Sequence, residues 1–308
     1  MLTRFLPRPI RHRARRSVCW LSQAVRTISS IPQYRNVDLG CGVTVNVDMR
    51  HQNWYKLYKD GCHEQDVEEF ITGFLQEGDA VLDVGAQIGM FTAIAAQLIG
   101  SDGPLYAFEP DEQNHNDLQS TCIRNQLDNV TILKIGLSDT VGEATFQRPD
   151  GAWGSFMNGS GGGSVTREFF KNCNIKTSTL ETRTIDNVVR ERGIQRLDLI
   201  KIDVDGPEVA ILRGAIETLT NYKPAVVVEA SLFYREHGSS AGELFEVLQQ
   251  NGYQIYGAIR KGETAVPMSS PADIPVDLSA AGSAMNFFCM VPGTYDERWK
   301  RLWFMRGD

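Results

Sequence analysis

Residues Val81-Leu82-Asp83-Val84-Gly85-Ala86-Gln87-Ile88-Gly89 constrain this chain more than any other stretch. An apolar run ends in a carboxylate, breaks at a glycine and opens into the apolar helical pattern Gly89–Leu98. A second apolar run ends at Phe108-Glu109-Pro110, where Glu109 stands 24 residues after Gly85. That order of strand, glycine turn, helix and second strand with a terminal acid builds a nucleoside pocket at the carboxyl edge of an α/β sheet. Gly85 permits the sharp turn, Gly89 lets the helix pack close, and Glu109 is suited to both hydroxyls of a ribose. A dinucleotide turn needs G-x-G-x-x-G, whose middle glycine admits a pyrophosphate. Here Gln87 and Met90 occupy the second and third glycine positions. The remaining pattern, D-x-G-x-x-x-G, suits a nucleoside without phosphates. S-adenosylmethionine is such a ligand, and Asp83 places negative charge near its ammonium and sulfonium. An ordinary strand-turn-helix without a ligand is the plain alternative.

Seven strand-like runs follow the same logic: Ala80–Val84, Leu105–Phe108, Val130–Lys134, Leu197–Ile202, Ala225–Val228, Tyr253–Ile259 and Met285–Val291. Helical periodicity separates most of them, over Asn114–Leu127, Pro207–Leu219 and Ser240–Asn251. Upstream, Val43–Val47 alternates like a short strand, and Asp66–Leu75 puts Val67, Phe70, Ile71, Phe74 and Leu75 on one helical face. The expected fold is a doubly wound, mostly parallel, seven-stranded α/β sheet whose last strand is antiparallel. Between the third and fourth strands lies a long insertion, Ile135 to Arg196, too long for a plain crossover. Its segment 151–164 holds six glycines together with Trp153, Phe156 and Met157. This reads either as a lid over substrate or as a surface loop.

The carboxyl edge is acidic again after the fourth strand, where Asp203, Asp205 and Glu208 fall within Asp203-Val204-Asp205-Gly206-Pro207-Glu208. Crowded carboxylates need a cation, a proton or a donor to relieve them. The sulfonium is one candidate, and a divalent metal on Asp203 and Asp205 is another; Glu208 also suits a helix N-terminus. The fifth strand ends at Glu229, and His237 follows on the same edge as a candidate general base beside Asp203 and Glu229. Ser138-Asp139, after the third strand, fall where an adenine amino group could be received.

These blocks together resemble the FkbM family of S-adenosylmethionine-dependent methyltransferases. The matching residues are Asp83-Val84-Gly85-Ala86 with Gly89, Ala107-Phe108-Glu109-Pro110, Asn129-Val130-Thr131, Leu137-Ser138-Asp139, and Lys201-Ile202-Asp203-Val204-Asp205-Gly206 with Glu208. The likeness spans roughly residues 60–260. Where the family pattern usually has Asn, Glu and a small residue, this chain has Gln87, Asp205 and Pro207. The resemblance implies a Rossmann-like class I methyltransferase fold and O-methylation of a hydroxyl, often on a sugar or polyketide. It carries Gly85, Gly89, Glu109 and Asp139 over as cofactor positions. Asp203, Glu208 and Glu229 carry over only as residues near the active edge. Two other readings share the fold: an NAD-dependent oxidoreductase, disfavoured by the missing glycine, and a noncatalytic binding module.

Charge completes the reading. Residues 1–35 contain eight arginines and no acid; taking that +8 from the net −7 leaves −15 on the rest. An acidic body argues against a nucleic-acid substrate, so the expected partner is a small-molecule or glycan acceptor. The basic arm reads first as a disordered, solvated leader, and otherwise as a segment that touches an anionic membrane or nucleic acid or targets an organelle. The expected divisions are an arm at 1–40, a methyltransferase domain at 41–292 and a tail at 293–308. Six scattered cysteines without a C-x-x-C pair suggest buried or incidental thiols and a cytoplasmic, reducing setting.

Overall fold

The computed structural model describes residues 33–49, 52–61, 63–149, 156–157, 175–230, 238–257, 266–274 and 285–302. A hairpin of β1 (Tyr34–Asp38) and β2 (Thr44–Asp48) comes first, so strand structure begins inside the span expected as arm. Helices α1 (Gln52–Asp60) and α2 (Gln65–Phe74) lead into the main sheet.

The sheet is built from β3 (Val81–Val84), β4 (Leu105–Phe108), β5 (Val130–Leu133), β10 (Leu199–Ile202), β11 (Ala225–Ala230), β12 (Gln254–Gly257), β13 (Val266–Met268) and β14 (Met285–Met290). Its order is β13-β12-β14-β11-β10-β3-β4-β5. The five strands β5 to β11 are parallel, and β14 enters antiparallel between β11 and β12. All seven expected runs are strands. An eighth, β13, extends the edge beside β12.

Register explains why strand ends converge. Val84 pairs level with Phe108 and Ile202, and Ile202 with Val228. Gly85, Glu109, Asp203 and Glu229 therefore stand one residue further along four neighbouring strands, on one edge.

Residues alternate between two cores, as buried parallel strands require. Val81, Leu105, Leu199 and Phe288 face one core with α2, α3 (Met90–Ile99) and α4 (Glu112–Arg124). Leu82, Phe108, Ile200 and Phe287 face the other, with α5 (Ile185–Glu191), α6 (Glu208–Arg213), α7 (Ile216–Tyr222) and α8 (Ala241–Gln250). The C-terminal α9 (Asp296–Trp299) belongs to the first core: the Trp299 ring lies 5.8 Å from Phe70, which stacks on Phe288 at 5.0 Å.

The expected single helix over Pro207–Leu219 is two, α6 and α7. It breaks where Gly214 passes the Ser138 carbonyl so closely that a Cβ would stand 2.2 Å away. The Gly214 carbonyl also accepts from the Asp186 N–H at 3.0 Å. The described part of the long insertion is a second sheet, β6-β9-β7-β8, from Gly136–Leu137, Ile175–Arg183, Gly142–Pro149 and Phe156–Met157. Most of the glycine-rich segment, read from the sequence as either a lid or a surface loop, lies outside the described residues. No described helix is long and apolar enough to cross a membrane.

Candidate active site

The turn after β3 is tied to β4 and β10. The N–H groups of Gly85 and Ala86 both donate to the Phe108 carbonyl at 3.0 Å, and the Asp203 N–H donates to the Val84 carbonyl at 3.0 Å. Gly85 has φ +82°, and a Cβ there would stand 1.9 Å from the Asp203 carbonyl oxygen. Glycine is thus required both by backbone angle and by the approach of the two loops. Gly89, at φ +86°, opens α3 and packs on Leu118 of α4 rather than lining the cleft.

A cleft with a cavity volume of about 210 Å³ lies along this edge. Gly85, Ala86, Gln87, Glu109, Asn114 and Leu137 line one part; Lys201, Asp203, Asp205 and Glu229 line another. Phe146 of β7 lines it as well, so the second sheet contributes to the wall. Glu109 is nearly fully buried. Its two oxygens accept from the N–H groups of Gln87 and Asp111, each at 2.9 Å. Burial pushes its pKa up to about 7 against the pull of those donors.

Asp83 lies beneath the cleft rather than in its wall. It is buried, accepts from the Thr92 hydroxyl at 2.5 Å and stands 3.8 Å from the Lys201 Nζ. Burial raises its pKa, with Lys201 and Thr92 opposing. Lys201 is the hub. Its ammonium is 3.1 Å from Asp203 and 5.0 Å from the Phe91 ring centre. Burial alone would depress its pKa, but Asp203, Asp83 and Glu64 outweigh burial and leave it raised.

Around this single cation stand further acids. Asp205, with φ +59°, is pushed up to about 7 by burial and by Asp203. Glu208 is fully buried behind the cleft, accepts from the Gly206 N–H at 3.0 Å and is pushed by burial to about 8. Glu229 is raised well above the carboxylate range by burial, then by Asp203, Asp205 and Glu64. Among the described residues, no group of three or more His, Cys, Asp or Glu could hold a metal ion.

Among the lining residues that the sequence did not mark are Trp54 of α1, His63, and Glu64 at the N-terminus of α2, besides Phe146. Burial and then Asp203 push Glu64 up to about 8. No spacing motif marks them. Lys201, by contrast, carried a signal, since a lysine inside the buried run Leu199–Ile202 demands a counter-charge. Ser138 and Asp139 are not brought to the cleft. The Ser138 N–H pairs with the Arg183 carbonyl at 2.9 Å, which draws the chain into the second sheet, and Asp139 is exposed. His237 lies outside the described residues.

A model of the methyltransferase FkbM domain matches residues 83–255. The chain is 26% identical over 277 residues to the AMB antimetabolite synthetase AmbE of Pseudomonas aeruginosa, covering 78% of this chain and 12% of AmbE. It is 26% identical over 164 residues to the hexuronic acid methyltransferase AglP of Haloferax volcanii, covering 53% of this chain and 61% of AglP. A third relative, the 2-O-methyltransferase NoeI of Sinorhizobium fredii, is 26% identical over 190 residues, covering 58% and 75%. The chain thus spans less than two thirds of the first two of these proteins.

Proposed function

This chain belongs to the FkbM family of S-adenosylmethionine-dependent methyltransferases, and from that membership we propose that it methylates a hydroxyl of a sugar, glycolipid or other small-molecule acceptor. The observation that carries the reading is a single cleft lined both by Glu109, a buried acid beside the glycine turn, and by the acidic cluster around Lys201. Both parts fit the cofactor. Glu109 keeps lone pairs for two neighbouring hydroxyls while backbone N–H groups hold its carboxylate in place. Asp203, with Asp83 beneath, supplies negative charge for a sulfonium and an ammonium.

When bound, S-adenosylmethionine supplies an electrophilic methyl group. The chain's residues do the rest. Gly85, Ala86 and Glu109 orient the nucleoside. Glu64, Asp205 and Glu229 border the space left for the acceptor. A hydroxyl is a weak nucleophile, so one carboxylate, Glu229 or Asp203, takes its proton as attack develops. Holding oxygen and carbon in a near-attack pose contributes up to roughly 7–11 kcal/mol of the acceleration.

The test is incubation with methyl-labelled cofactor and fractionated glycolipids, glycans and small metabolites, with and without a chelator. Label in an alkali-stable ether is the expected result. Label only in alkali-labile esters, or in no hydroxyl-bearing fraction, overturns the reading.

A further inference from the structure

Trp54, His63 and Glu64 line the cleft but precede residue 83, where the family match begins. The cofactor turn and Glu109 lie inside the match; this wall lies outside it, where a chain is free to set its own acceptor. Its chemistry is specific. The Trp54 indole meets the His63 ring edge-on, centroids 5.8 Å apart at 68°. Glu64, in the next position, stands among Asp203, Asp205 and Glu229. A sugar ring offers an apolar C–H face and a rim of hydroxyls. The first packs on an indole; the second needs planar groups that accept and donate. A Glu64 carboxyl that keeps its proton near neutral pH does both. Among the described lining residues Lys201 is the one cation, and Asp203 and Phe91 already hold it. An anionic sugar would enter beside Asp203 with no described lining cation left to receive its charge.

We propose that Trp54, His63 and Glu64 form the acceptor subsite, and that it takes an uncharged sugar ring, with Trp54 against the C–H face and Glu64 on a hydroxyl, and excludes a hexuronate. The proposal rests on the methyl-transfer reading above and names its substrate class.

The experiment measures binding of a neutral methyl hexoside and of the matching methyl hexuronide, by saturation-transfer NMR, to the chain loaded with S-adenosylhomocysteine. The hexoside is expected to bind about tenfold more tightly than the hexuronide, the scale on which one mismatched contact discriminates. Trp54→Ala and Glu64→Leu should each weaken hexoside binding by about tenfold, with Trp54→Phe and Glu64→Gln, which keep a ring and a planar donor-acceptor group, retaining most of it. Affinity for S-adenosylhomocysteine, measured first in every variant, should stay within about twofold and so report that the fold is intact. Equal or better hexuronide binding overturns the proposal, as does hexoside binding indifferent to both Glu64→Leu and Trp54→Ala. If the wild-type chain binds S-adenosylhomocysteine but neither glycoside, this inference fails and the family reading stands. If it binds no S-adenosylhomocysteine, both fail.

Discussion

The two edges of the main sheet treat buried acids in opposite ways. At the amino edge, fully buried Asp79 is met by Arg298 at 2.5 Å and by Arg196 at 2.7 Å. Asp198 is met by Arg196 at 2.7 Å and by the Tyr295 hydroxyl at 3.3 Å. At the carboxyl edge, Asp83, Asp203, Asp205, Glu208, Glu229 and Glu64 gather around Lys201 alone among the described cations. One edge is neutralised from within and ties α9 to the sheet. The other gathers more acids than its single described lysine can balance, and burial raises the pKa of most of them. Buried charge without internal compensation is costly, and a binding site is where a chain leaves such a cost for its ligand to offset.

The largest effect should come from breaking the balanced edge. Asp79→Ala leaves Arg196 and Arg298 facing each other and frees the Gln76 N–H that Asp79 accepts at 2.9 Å. Losing one partner of a buried pair costs about 3–5 kcal/mol. At about 2–4 °C per kcal/mol for a domain of this class, melting should fall by roughly 10 °C. Cofactor affinity of the folded fraction should not change. A small shift in melting, or a large loss of affinity with intact stability, would show that the two edges do not divide their labour in this way.

The second effect is pH dependence, and its sign distinguishes the edges. Asp205 and Glu109 are raised to about 7, and Glu64 and Glu208 to about 8. Between the ordinary carboxylate range and about pH 8, the unfolded chain ionises while these groups keep their protons. The folded state then binds more protons, so stability falls as pH rises through that window. One pKa unit on one group is about 1.4 kcal/mol, so the ligand-free chain should lose about 2 kcal/mol or more from pH 5 to 8. S-adenosylmethionine, being cationic, should flatten the fall and bind more tightly at the alkaline end. Glu208→Gln should flatten it without ligand. Melting curves at several pH values decide the matter; a flat or rising profile in the ligand-free protein would break the comparison.

How much of this was legible in the sequence depends on what places each residue. Gly85, Glu109, Asp203 and Glu229 each follow the end of an apolar run, and parallel register delivers such positions to one edge whatever the loops do. Trp54, His63 and Glu64 reach the cleft because α2 packs through Phe70 and Phe74 onto Phe288, Tyr295 and Trp299, partners more than 200 residues away. No local period records that contact. Ser138 and Asp139 sit one element past β5, where the expected placement assumed that the main sheet sets the path. Pairing of β6 with β9 sets it instead. The same pairing hid in the insertion, whose glycine content masked the regular strands β7 and β9 on either side.

The smallest change in stability should come from Glu229→Gln, and it sharpens the comparison most. Glu229 sits level with Asn286 in β14, and its pKa is raised well above the carboxylate range, first by burial. Burial therefore favours the protonated carboxyl, which glutamine imitates in shape and neutrality. Stability at pH 7 should move by no more than about 0.5 kcal/mol, the range of a substitution that breaks no named interaction. Glutamine cannot give up a proton, however. If Glu229 is the base, methyl transfer in the wild type climbs with pH as the side chain ionises. The variant should lose that climb and about 100-fold or more of its turnover at the alkaline end. Turnover unchanged across pH leaves Asp203, which Lys201 holds at 3.1 Å, and His237 as the candidate bases, and Asp203 is tested next. Asp203→Asn would then remove the pH dependence at a cost in stability, because Lys201 loses its nearest partner. The two variants together separate an acid kept in reserve for chemistry from one kept charged to hold the site in shape.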